Sequence, residues 1–308
     1  MWKYILKRLL TLIPVIIGVT MIVYLILNLA PGDPAKTILG DQATPEAIEQ
    51  LREEMGLNDP VFVQYGRYML KLAQFDMGNG YKNGVPVIQE VSARFPNTIK
   101  LAITASLITI VLAIPLGIFA AIKQNTLFDG ISMVIALIGV SMPIFWVGLL
   151  LILLFSLKLG WFPAAGAQGW KSLVLPSIAL GFMHMATIAR TTRSSMLEVI
   201  RQDYIRTARS KGLSNMVVIR KHALKNAMIP TVTMIGLQMG GMLSGSVLTE
   251  SVFAWPGIGR LMIQSINARD TPIVLGCIIL FTLSFSIINL IVDLLYGFID
   301  PRIRSQYS

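Results

Sequence analysis

Three long runs of this chain carry no charged side chain, and they restrict what it can fold into. They cover residues 9–30, 101–122 and 131–157. A helix rises about 1.5 Å per residue, so each run is long enough to cross a hydrocarbon core of about 30 Å. Only 14% of the 308 residues are charged, against about 25% in water-soluble domains. The sequence therefore predicts an all-α integral membrane protein.

The formal net charge of +10 would also fit a nucleic-acid-binding protein. Such a protein needs a basic face on a soluble fold, whereas the excess of lysine and arginine here lies in loops beside apolar runs, as membrane topology requires. We therefore expect no nucleic-acid partner. The single cysteine, Cys277, lies within an apolar run and is predicted to be a small buried hydrophobe, with no disulfide and no metal site.

Apolar runs and turn residues predict six transmembrane helices. These spans are 9–30, 98–122, 130–157, 173–192, 230–250 and 273–297. An even number places both termini on one side, and that side receives 15 of the 26 lysines and arginines. Of the other eleven, seven lie in one long segment, where the positive-inside rule loses force. The bias among short loops predicts that both termini are cytoplasmic.

The spans divide the chain into an amino-terminal helix, an external segment, a five-helix core with a cytoplasmic loop, and a tail. The corresponding ranges are 1–30, 31–97, 98–297 with the loop 193–229, and 298–308. The first apolar run is too long for a signal peptide, and Pro31 follows directly where cleavage would be needed. We therefore expect a retained membrane anchor.

The external segment carries two helix starts with proline in the first turn. Thr44 is expected to cap a helix that begins at Pro45 and ends at Gly56, and Asp59 to cap a second helix at Pro60. Together they predict a small folded cap against the membrane surface. Packing is the favoured role for this cap, and docking of a partner is the alternative.

The cytoplasmic segment is basic and predicts two short helices. The first runs from Asp203 to Lys211 and is stopped by Gly212, and Ser214 can cap a second helix that runs towards Pro230. These charges could serve only to set topology and to contact anionic lipid headgroups. That interpretation leaves the helix–glycine–helix pattern unexplained.

Residues suited to catalysis or ion coupling are scarce. The two histidines, His184 and His222, lie far apart in the sequence, and it contains no H-E-x-x-H, G-x-S-x-G or phosphate-loop motif. The chain is therefore predicted to be no enzyme and to hydrolyse no ATP by the phosphate-loop route. Glu250 and Asp293 lie near the ends of spans, where we expect them to reach the interface and to cap or pair rather than to couple ions.

Small residues are concentrated in the fifth span, where they permit close helix approach. They are Gly236, Gly240, Gly241, Ser244, Gly245 and Ser246. Two interpretations remain open. The residues either pack the helix within its own chain or line a pathway or dimer seam that must slide.

Residues 203–212, Asp-Tyr-Ile-Arg-Thr-Ala-Arg-Ser-Lys-Gly, resemble one known loop, and the resemblance continues through His222-Ala223-Leu224 to Asn226-Ala227 and Pro230. It is the cytoplasmic loop of type I ATP-binding-cassette (ABC) importer permeases, and the resemblance is to their dipeptide/oligopeptide/nickel class. Further segments agree in order along the chain, at 29–34, 253–260 with 269–270, and 300–302. One departure is that Arg206-Thr207-Ala208 stands where the general loop has Glu-Ala-Ala, which puts in doubt any contact made by that glutamate.

The resemblance implies that the loop is a coupling helix that sits in a groove on a cytoplasmic ATPase subunit. The implied coupling residues are Asp203, Tyr204, Arg206, Thr207, Ala208, Lys211, Gly212 and Leu213. Residues expected from position to line the pathway or its gate are Gln238, Gly241, Ser244, Gly245, Trp255, Pro256, Gly257 and Asn289. Trp255 with Pro256 and Gly257 predicts a short helix at the mouth of the pathway, and an interfacial aromatic anchor is the alternative.

The implied function is that of a permease subunit in the bacterial inner membrane. Its implied partners are a second, homologous permease subunit, two ATP-binding subunits that hold ATP and Mg²⁺, an external substrate-binding protein and membrane lipid. No cofactor is expected on this chain. Peptides are the expected cargo, with nickel, metallophores or glutathione as alternatives. A self-contained channel or secondary transporter would instead predict buried charges or broken helices at the membrane midplane, and a membrane-embedded hydrolase would need catalytic groups that the sequence lacks.

Overall fold

The structure, a computed structural model, describes residues 2–40 and 42–299, and every regular element in these ranges is helical. In chain order the helices are α1 (Trp2–Leu29), α2 (Pro34–Leu39), α3 (Pro45–Met55), α4 (Val61–Ala73), α5 (Val87–Ile122), α6 (Leu127–Ser141), α7 (Ile144–Leu151), α8 (Lys171–Ile200), α9 (Asp203–Ser210), α10 (Asn215–Val217), α11 (Leu224–Val252), α12 (Ile258–Asn267) and α13 (Thr271–Ile299). Two π-helical stretches, Ile152–Lys158 and Val218–Ala223, continue α7 and α10. The predicted tail residues 300–308 lie outside the described part of the chain.

Within residues 2–40 and 42–299, five helices are long and apolar enough to cross a membrane, and a bent pair counted as one gives a sixth span. The pair is α6 with α7 and its π-helical continuation, which meet at an angle of 111°. Met142 and Pro143 separate the two halves in extended conformation. Proline disfavours helical geometry at the preceding residue and has no backbone donor. The span predicted over 130–157 is therefore present as a bent pair, and six spans result when the pair is counted once.

Helix α8 lies at the centre of the bundle and packs against α5, α6, α7 and α11. Its contact with α5 is close because small residues lie between the two backbones. A side chain at Gly117 would place its Cβ 2.6 Å from the carbonyl oxygen of Ala189. The position therefore requires glycine, as in other close helix crossings in membranes.

The bundle has two ends, which we name by the short helices they carry. The loop end carries α9, and the cap end carries α2, α3, α4 and α12. The hydrogen bond from the Nδ2 amide of Asn97 to the carbonyl of Pro256 (2.9 Å) ties the start of the second span to the turn before α12 at the cap end. At the loop end the Asp293 carboxylate accepts hydrogen bonds of 2.6 Å from the Tyr4 hydroxyl and from Arg8, joining α1 to α13. The pairing role expected for Asp293 is thus observed.

The cap folds largely as its turn residues predict. The Thr44 hydroxyl accepts a hydrogen bond from the Ala47 amide (3.3 Å), and Gly56 ends α3 in the left-handed conformation. Asp59 does not cap α4, which begins at Val61 without a side-chain cap. Its carboxylate instead pairs with Arg67, one turn into the same helix.

Several spans are longer than their charge-free cores, so the predicted boundaries shift. Helix α5 begins at Val87, inside the segment expected to be external, because Val87 and Val91 are buried beneath α12 and α13. Helix α8 continues to Ile200, two turns beyond its predicted end. Cys277 is fully buried with these residues, as predicted.

Candidate functional site

Helix α9 is a short helix held across the loop end of the bundle. It spans Asp203–Ser210 and ends at Gly212, whose φ of +77° lies in the left-handed region that favours glycine. The Gly212 amide donates a 2.9 Å hydrogen bond to the Arg209 carbonyl. The predicted helix and its glycine stop are therefore both present.

One face of α9 is buried against the bundle. Ile205 and Ala208 lie in an apolar cluster with Met196 of α8, Ala121 of α5 and Val218 of the following π-helical stretch. Ala208 was expected to contact an ATPase, but only 6% of it is exposed. In this structure it fixes α9 to its own chain and forms no part of the outer surface.

The opposite face of α9 and the turn after it are exposed. The exposed predicted coupling residues are Asp203, Tyr204, Arg206, Thr207, Lys211, Gly212 and Leu213. The side chains of Asp203 and Arg206 are 98% and 78% exposed, and their 3.8 Å ion pair lies in solvent, where such pairs contribute little. Arg209 and Met216 are exposed on the same surface and were missed by the sequence prediction. We call these nine residues the α9 surface.

The second helix of the loop differs from its prediction. Ser214 occupies the position before α10 but makes no side-chain capping hydrogen bond. The helix does not stop near Pro230, because the segment Asn215–Val252 is helical throughout and forms the fifth span. A 2.8 Å hydrogen bond from the Nδ2 amide of Asn226 to the Tyr204 hydroxyl joins this helix to α9.

A buried ion pair joins α6 to α8. Arg193 of α8 binds Asp129 of α6 through two hydrogen bonds, of 2.6 Å and 2.7 Å, and the Asp129 side chain is only 7% exposed. The Asn125 amide donates to the same carboxylate at 3.1 Å. This pair was not predicted. Asp129 follows the second span and Arg193 directly follows the fourth, on the same predicted side, and that arrangement in the sequence could have indicated it.

The small residues of α11 pack mainly within the chain. Gly236 and Gly240 face Val292 and Phe285 of α13, while Gly241 and Gly245 face His184 and Leu180 of α8. A Cβ at Gly241 would lie 3.3 Å from the imidazole of His184. Of the two interpretations of this span, internal packing accounts for these four glycines.

A different stripe of α11 is exposed along its length. Its members are Asn226, Pro230, Leu237, Ser244 and Leu248, which recur at helical spacing. Ser244 is thus the one predicted pathway residue of α11 that is exposed. Gln238 lies half-buried near His184, and Asn289 lies half-buried on α13 opposite Gly240.

The turn before α12 is a buried junction at the cap end. Trp255 is 2% exposed, and its Nε1–H donates a 3.0 Å hydrogen bond to the Asn97 carbonyl. The interfacial-anchor interpretation of Trp255 is therefore wrong. Gly257 is also buried, Pro256 is half-buried, and the predicted short helix follows as α12.

Glu250 lies beneath the same junction and is fully buried. Its carboxyl group accepts hydrogen bonds from the Thr98 hydroxyl (2.7 Å) and from the Arg260 amide in the first turn of α12 (3.0 Å). The predicted capping role is present. The expectation that Glu250 reaches the interface is wrong, because the side chain is enclosed by α5 and α12.

Within the described ranges no group of three or more histidine, cysteine or acidic side chains is placed to hold a metal ion. The two distinctive features are instead contacts that hold short helices against the transmembrane helices. An exposed helix at one end is fixed to the central helices, and a buried junction at the other end fixes α12 to α5 and α11.

Known proteins match along the whole chain. Residues 113–305 match the family of binding-protein-dependent transport system inner membrane components, and residues 1–102 match the amino-terminal region of such components. The dipeptide transport system permease protein DppB of Alkalihalophilus pseudofirmus is 48% identical, over 99% of this chain and 100% of that protein. The glutathione transport system permease protein GsiC of Escherichia coli K12 is 45% identical, over 99% of both chains.

Solved structures agree on the fold. The inward-facing MetNI methionine ABC transporter aligns with a TM-score of 0.58 at 18% identity, over 68% of this chain and 95% of that chain. The family match covers well over half of the chain, and the relatives align from end to end. This chain therefore belongs to the family of binding-protein-dependent transport system inner membrane components, the permease subunits of ABC importers.

Proposed function

We propose that this permease subunit imports peptides and is driven by separate ATPase subunits that dock on the α9 surface. The observation that carries the proposal is the two-sided construction of α9. Ile205 and Ala208 fix it to the bundle, while Arg206, Thr207 and Lys211 face outwards. Exposed Tyr204, Leu213 and Met216 add apolar area of the kind that protein interfaces use.

Force applied to α9 has a direct route into the bundle. The apolar cluster beneath it includes residues of α5, α8 and the start of the fifth span. Closure of two ATPase subunits would therefore move these helices as a rigid group, as in other domain rotations. The bidentate Arg193–Asp129 pair would make α6 follow the same movement.

The exposed stripe of α11 is proposed to form the seam with a second, homologous permease subunit. It carries no charged side chain between Pro230 and Leu248 and includes Ser244, whose hydroxyl would face the pathway. Lipid-facing and partner-facing surfaces are both apolar, and the polar side chains of Asn226 and Ser244 within this stripe favour its assignment to the partner. Gln238 and Asn289 are proposed to approach this pathway from its walls.

The proposed orientation places the loop end in the cytoplasm and the cap end outside. Nine lysines and arginines lie between Arg190 and Lys225, and the positive-inside rule assigns such a loop to the cytoplasm. Both termini then lie in the cytoplasm, and the cap faces the external substrate-binding protein. ATP and Mg²⁺ would be held by the ATPase subunits, and this chain would bind no cofactor.

The choice of a peptide cargo is supported by the relatives named for dipeptide and glutathione transport. Glutathione is itself a tripeptide, and nothing in the chain favours it over ordinary peptides. Nickel or metallophore import has no support from a metal-binding group among the described residues. Dipeptides and short oligopeptides are therefore the proposed cargo.

A gentle detergent purification of the tagged chain from its own membranes, followed by mass spectrometry, tests the assembly. We expect ATPases with phosphate-loop motifs and a second permease to co-purify. A chain that emerges alone and moves solute into liposomes without ATP would contradict the proposal. That outcome would favour a self-contained transporter, an alternative that the break at Pro143 supports.

A further inference from the structure

A cavity of 340 Å³ opens at the cap end, and none of its lining residues belongs to the α9 surface. It lies between α1, α3, α12 and α13, and its volume falls in the range of about 300–1,000 Å³ that small-molecule sites occupy. Its lining is unusually polar for this protein. The charged side chains in this lining are Asp33, Arg52, Arg269 and Asp270, and the lining also includes Tyr81.

Asp270 is a buried carboxyl group with one oxygen unused. The residue is 2% exposed, and its Oδ2 accepts a 3.2 Å hydrogen bond from the Lys82 amide. Its Oδ1 is buried and has no hydrogen-bond partner. Asp270 directly precedes α13, so the positive end of that helix offsets part of its charge. The free oxygen still lacks a donor, and buried acceptors are normally satisfied.

Arg269, the preceding residue, also lines the cavity and forms no ion pair within the described part of the chain. Its guanidinium donates a hydrogen bond to the Pro31 carbonyl. The backbone at Arg269 has a φ of +57°, a left-handed conformation that non-glycine residues rarely adopt. Gly32 leaves room for the guanidinium, because a Cβ there would lie 3.0 Å from its Nε.

Arg52 adds a second cation to the wall. Its Nη1 lies 3.7 Å from the Asp33 carboxylate and 4.0 Å from the Glu49 carboxylate, both beyond hydrogen-bond distance, and its Nε is buried without a hydrogen-bond partner. The cavity lining thus includes one carboxylate oxygen, of Asp270, and one guanidinium donor, of Arg52, that have no hydrogen-bond partner. A simple anion would be repelled by Asp270, and a simple cation by the two arginines.

We propose that this cavity binds a small zwitterion, a free amino acid or a short peptide. The ammonium group would donate to Asp270 Oδ1, and the carboxylate would accept from Arg269 or Arg52, with Tyr81 along one wall. Charge-assisted hydrogen bonds of this kind are the strong ones. The site would receive cargo at the cap before it enters the pathway. The choice of peptide as the probe rests on the proposed function.

Isothermal titration of the purified importer, without ATP and without its binding protein, tests this site. The probe is L-alanyl-L-alanine, compared with its N-acetylated form and with its carboxyl amide. We expect the zwitterion to bind, and both blocked forms to bind about tenfold more weakly or worse, since each loses one charge-assisted contact. Equal binding of the three forms, or no saturable binding of the zwitterion, would overturn the proposal.

Substitutions of the lining residues test whether the dipeptide binds in this cavity. Asp270→Asn should weaken binding of the dipeptide about tenfold or more, and the paired change Arg52→Gln/Arg269→Gln should do the same while removing the preference for a free carboxylate. Glu53→Gln is the matched control, because Glu53 is exposed on α3 and does not line the cavity. Binding that is unchanged in both cavity variants would contradict the assignment. The comparison of blocked peptides on the unmodified importer decides the matter if a variant fails to fold.

A negative result for dipeptide binding in the cavity can be distinguished from a negative result for ATP-driven peptide import. ATP-driven peptide uptake by the complete importer is measured separately. Intact uptake with no binding in the titration would remove the cavity site and leave the importer assignment standing.

Discussion

The Thr98 hydroxyl of α5 donates a 2.7 Å hydrogen bond to the Glu250 carboxyl group of α11, and both residues are 0% exposed. The same hydroxyl accepts from the Ile258 amide at 2.9 Å, and the same carboxyl accepts from the Arg260 amide. One buried pair thus satisfies the first backbone donors of α12. It holds the turn that carries Trp255 against the second and fifth spans.

Replacing Glu250 by alanine should destabilise the protein more than replacing it by glutamine. Alanine leaves the Thr98 hydroxyl and the Arg260 amide without an acceptor, at a cost of about 1–3 kcal/mol for each buried group. Glutamine keeps one acceptor oxygen. Thermal unfolding in detergent micelles, followed by circular dichroism, should rank the apparent Tm as native, then Glu250→Gln, then Glu250→Ala. Glu198→Ala, at an exposed site on α8, is the control, and a Glu250→Ala protein as stable as this control would contradict the account.

The Asp129–Arg193 pair should behave as one unit. Arg193→Ala leaves a buried carboxylate without its cation, a change that costs about 3–5 kcal/mol in buried pairs. The partial exposure of the Arg193 side chain (22%) places the expected cost at the lower end. The double variant Asp129→Asn/Arg193→Ala should lose less stability, measured as apparent Tm in detergent, than the sum of the losses in Asp129→Asn and Arg193→Ala. Strict additivity in this cycle would show that the two side chains do not interact.

Gly212→Asp should leave the protein folded in the membrane and uncouple ATP hydrolysis from peptide uptake. No atom lies within 4 Å of a Cβ at this position, so the expected strain comes from the left-handed backbone and is on the order of 1–2 kcal/mol. The new carboxylate would lie on the α9 surface. Gly84→Asp is a matched control, with a φ of +66° and equally open surroundings at the cap end. Normal uptake by the Gly212→Asp importer would contradict the docking role of this surface.

Alkaline pH should loosen the cap. Burial raises the pKa of Tyr68 and Tyr81 above the ordinary value of 10.0. Below pH 10 both phenols are protonated in folded and unfolded chains, so their contribution to stability is fully present there. As the pH rises through 10, the unfolded chain releases protons that the folded cap retains, and stability is lost. Tyr68→Phe should reduce this loss at no cost near neutral pH, because the Tyr68 hydroxyl has no hydrogen-bond partner. Limited proteolysis of the cap across this pH range provides the measurement, and a Tyr68→Phe cap as alkali-sensitive as the native one would contradict it.

The membrane-spanning pattern could be predicted because single-residue properties decide it. Charge-free runs set the spans, Thr44 and Gly56 set the ends of α3, and Gly212 sets the end of α9. Each of these features depends on a few neighbouring residues. Pro143 indicated a possible kink in the third span. The size of the bend depends on packing against neighbouring helices, which the sequence does not show.

The interior of the site depends on contacts between distant segments and could not be predicted. Ala208 and Trp255 lie in motifs shared with known permeases, yet burial of each is decided by helices far away in the sequence. The partners of Glu250 lie on α5 and in the first turn of α12. Helical periodicity identifies a face but not its neighbour, so glycines that pack within the chain could not be separated from the exposed stripe of α11.

Cross-linking from α9 to neighbouring proteins tests most directly whether an ATPase subunit docks on the α9 surface. The chain has one cysteine, Cys277, which is buried, so Thr207→Cys provides a unique exposed thiol for a maleimide–benzophenone cross-linker in native membranes. Glu53→Cys, at the cap end, is the control. We expect Thr207→Cys to form a cross-link with an ATPase that has a phosphate-loop motif, and we expect no such cross-link from Glu53→Cys. A transport-competent chain that captures no ATPase from Thr207→Cys, or captures it equally from Glu53→Cys, would contradict the central claim.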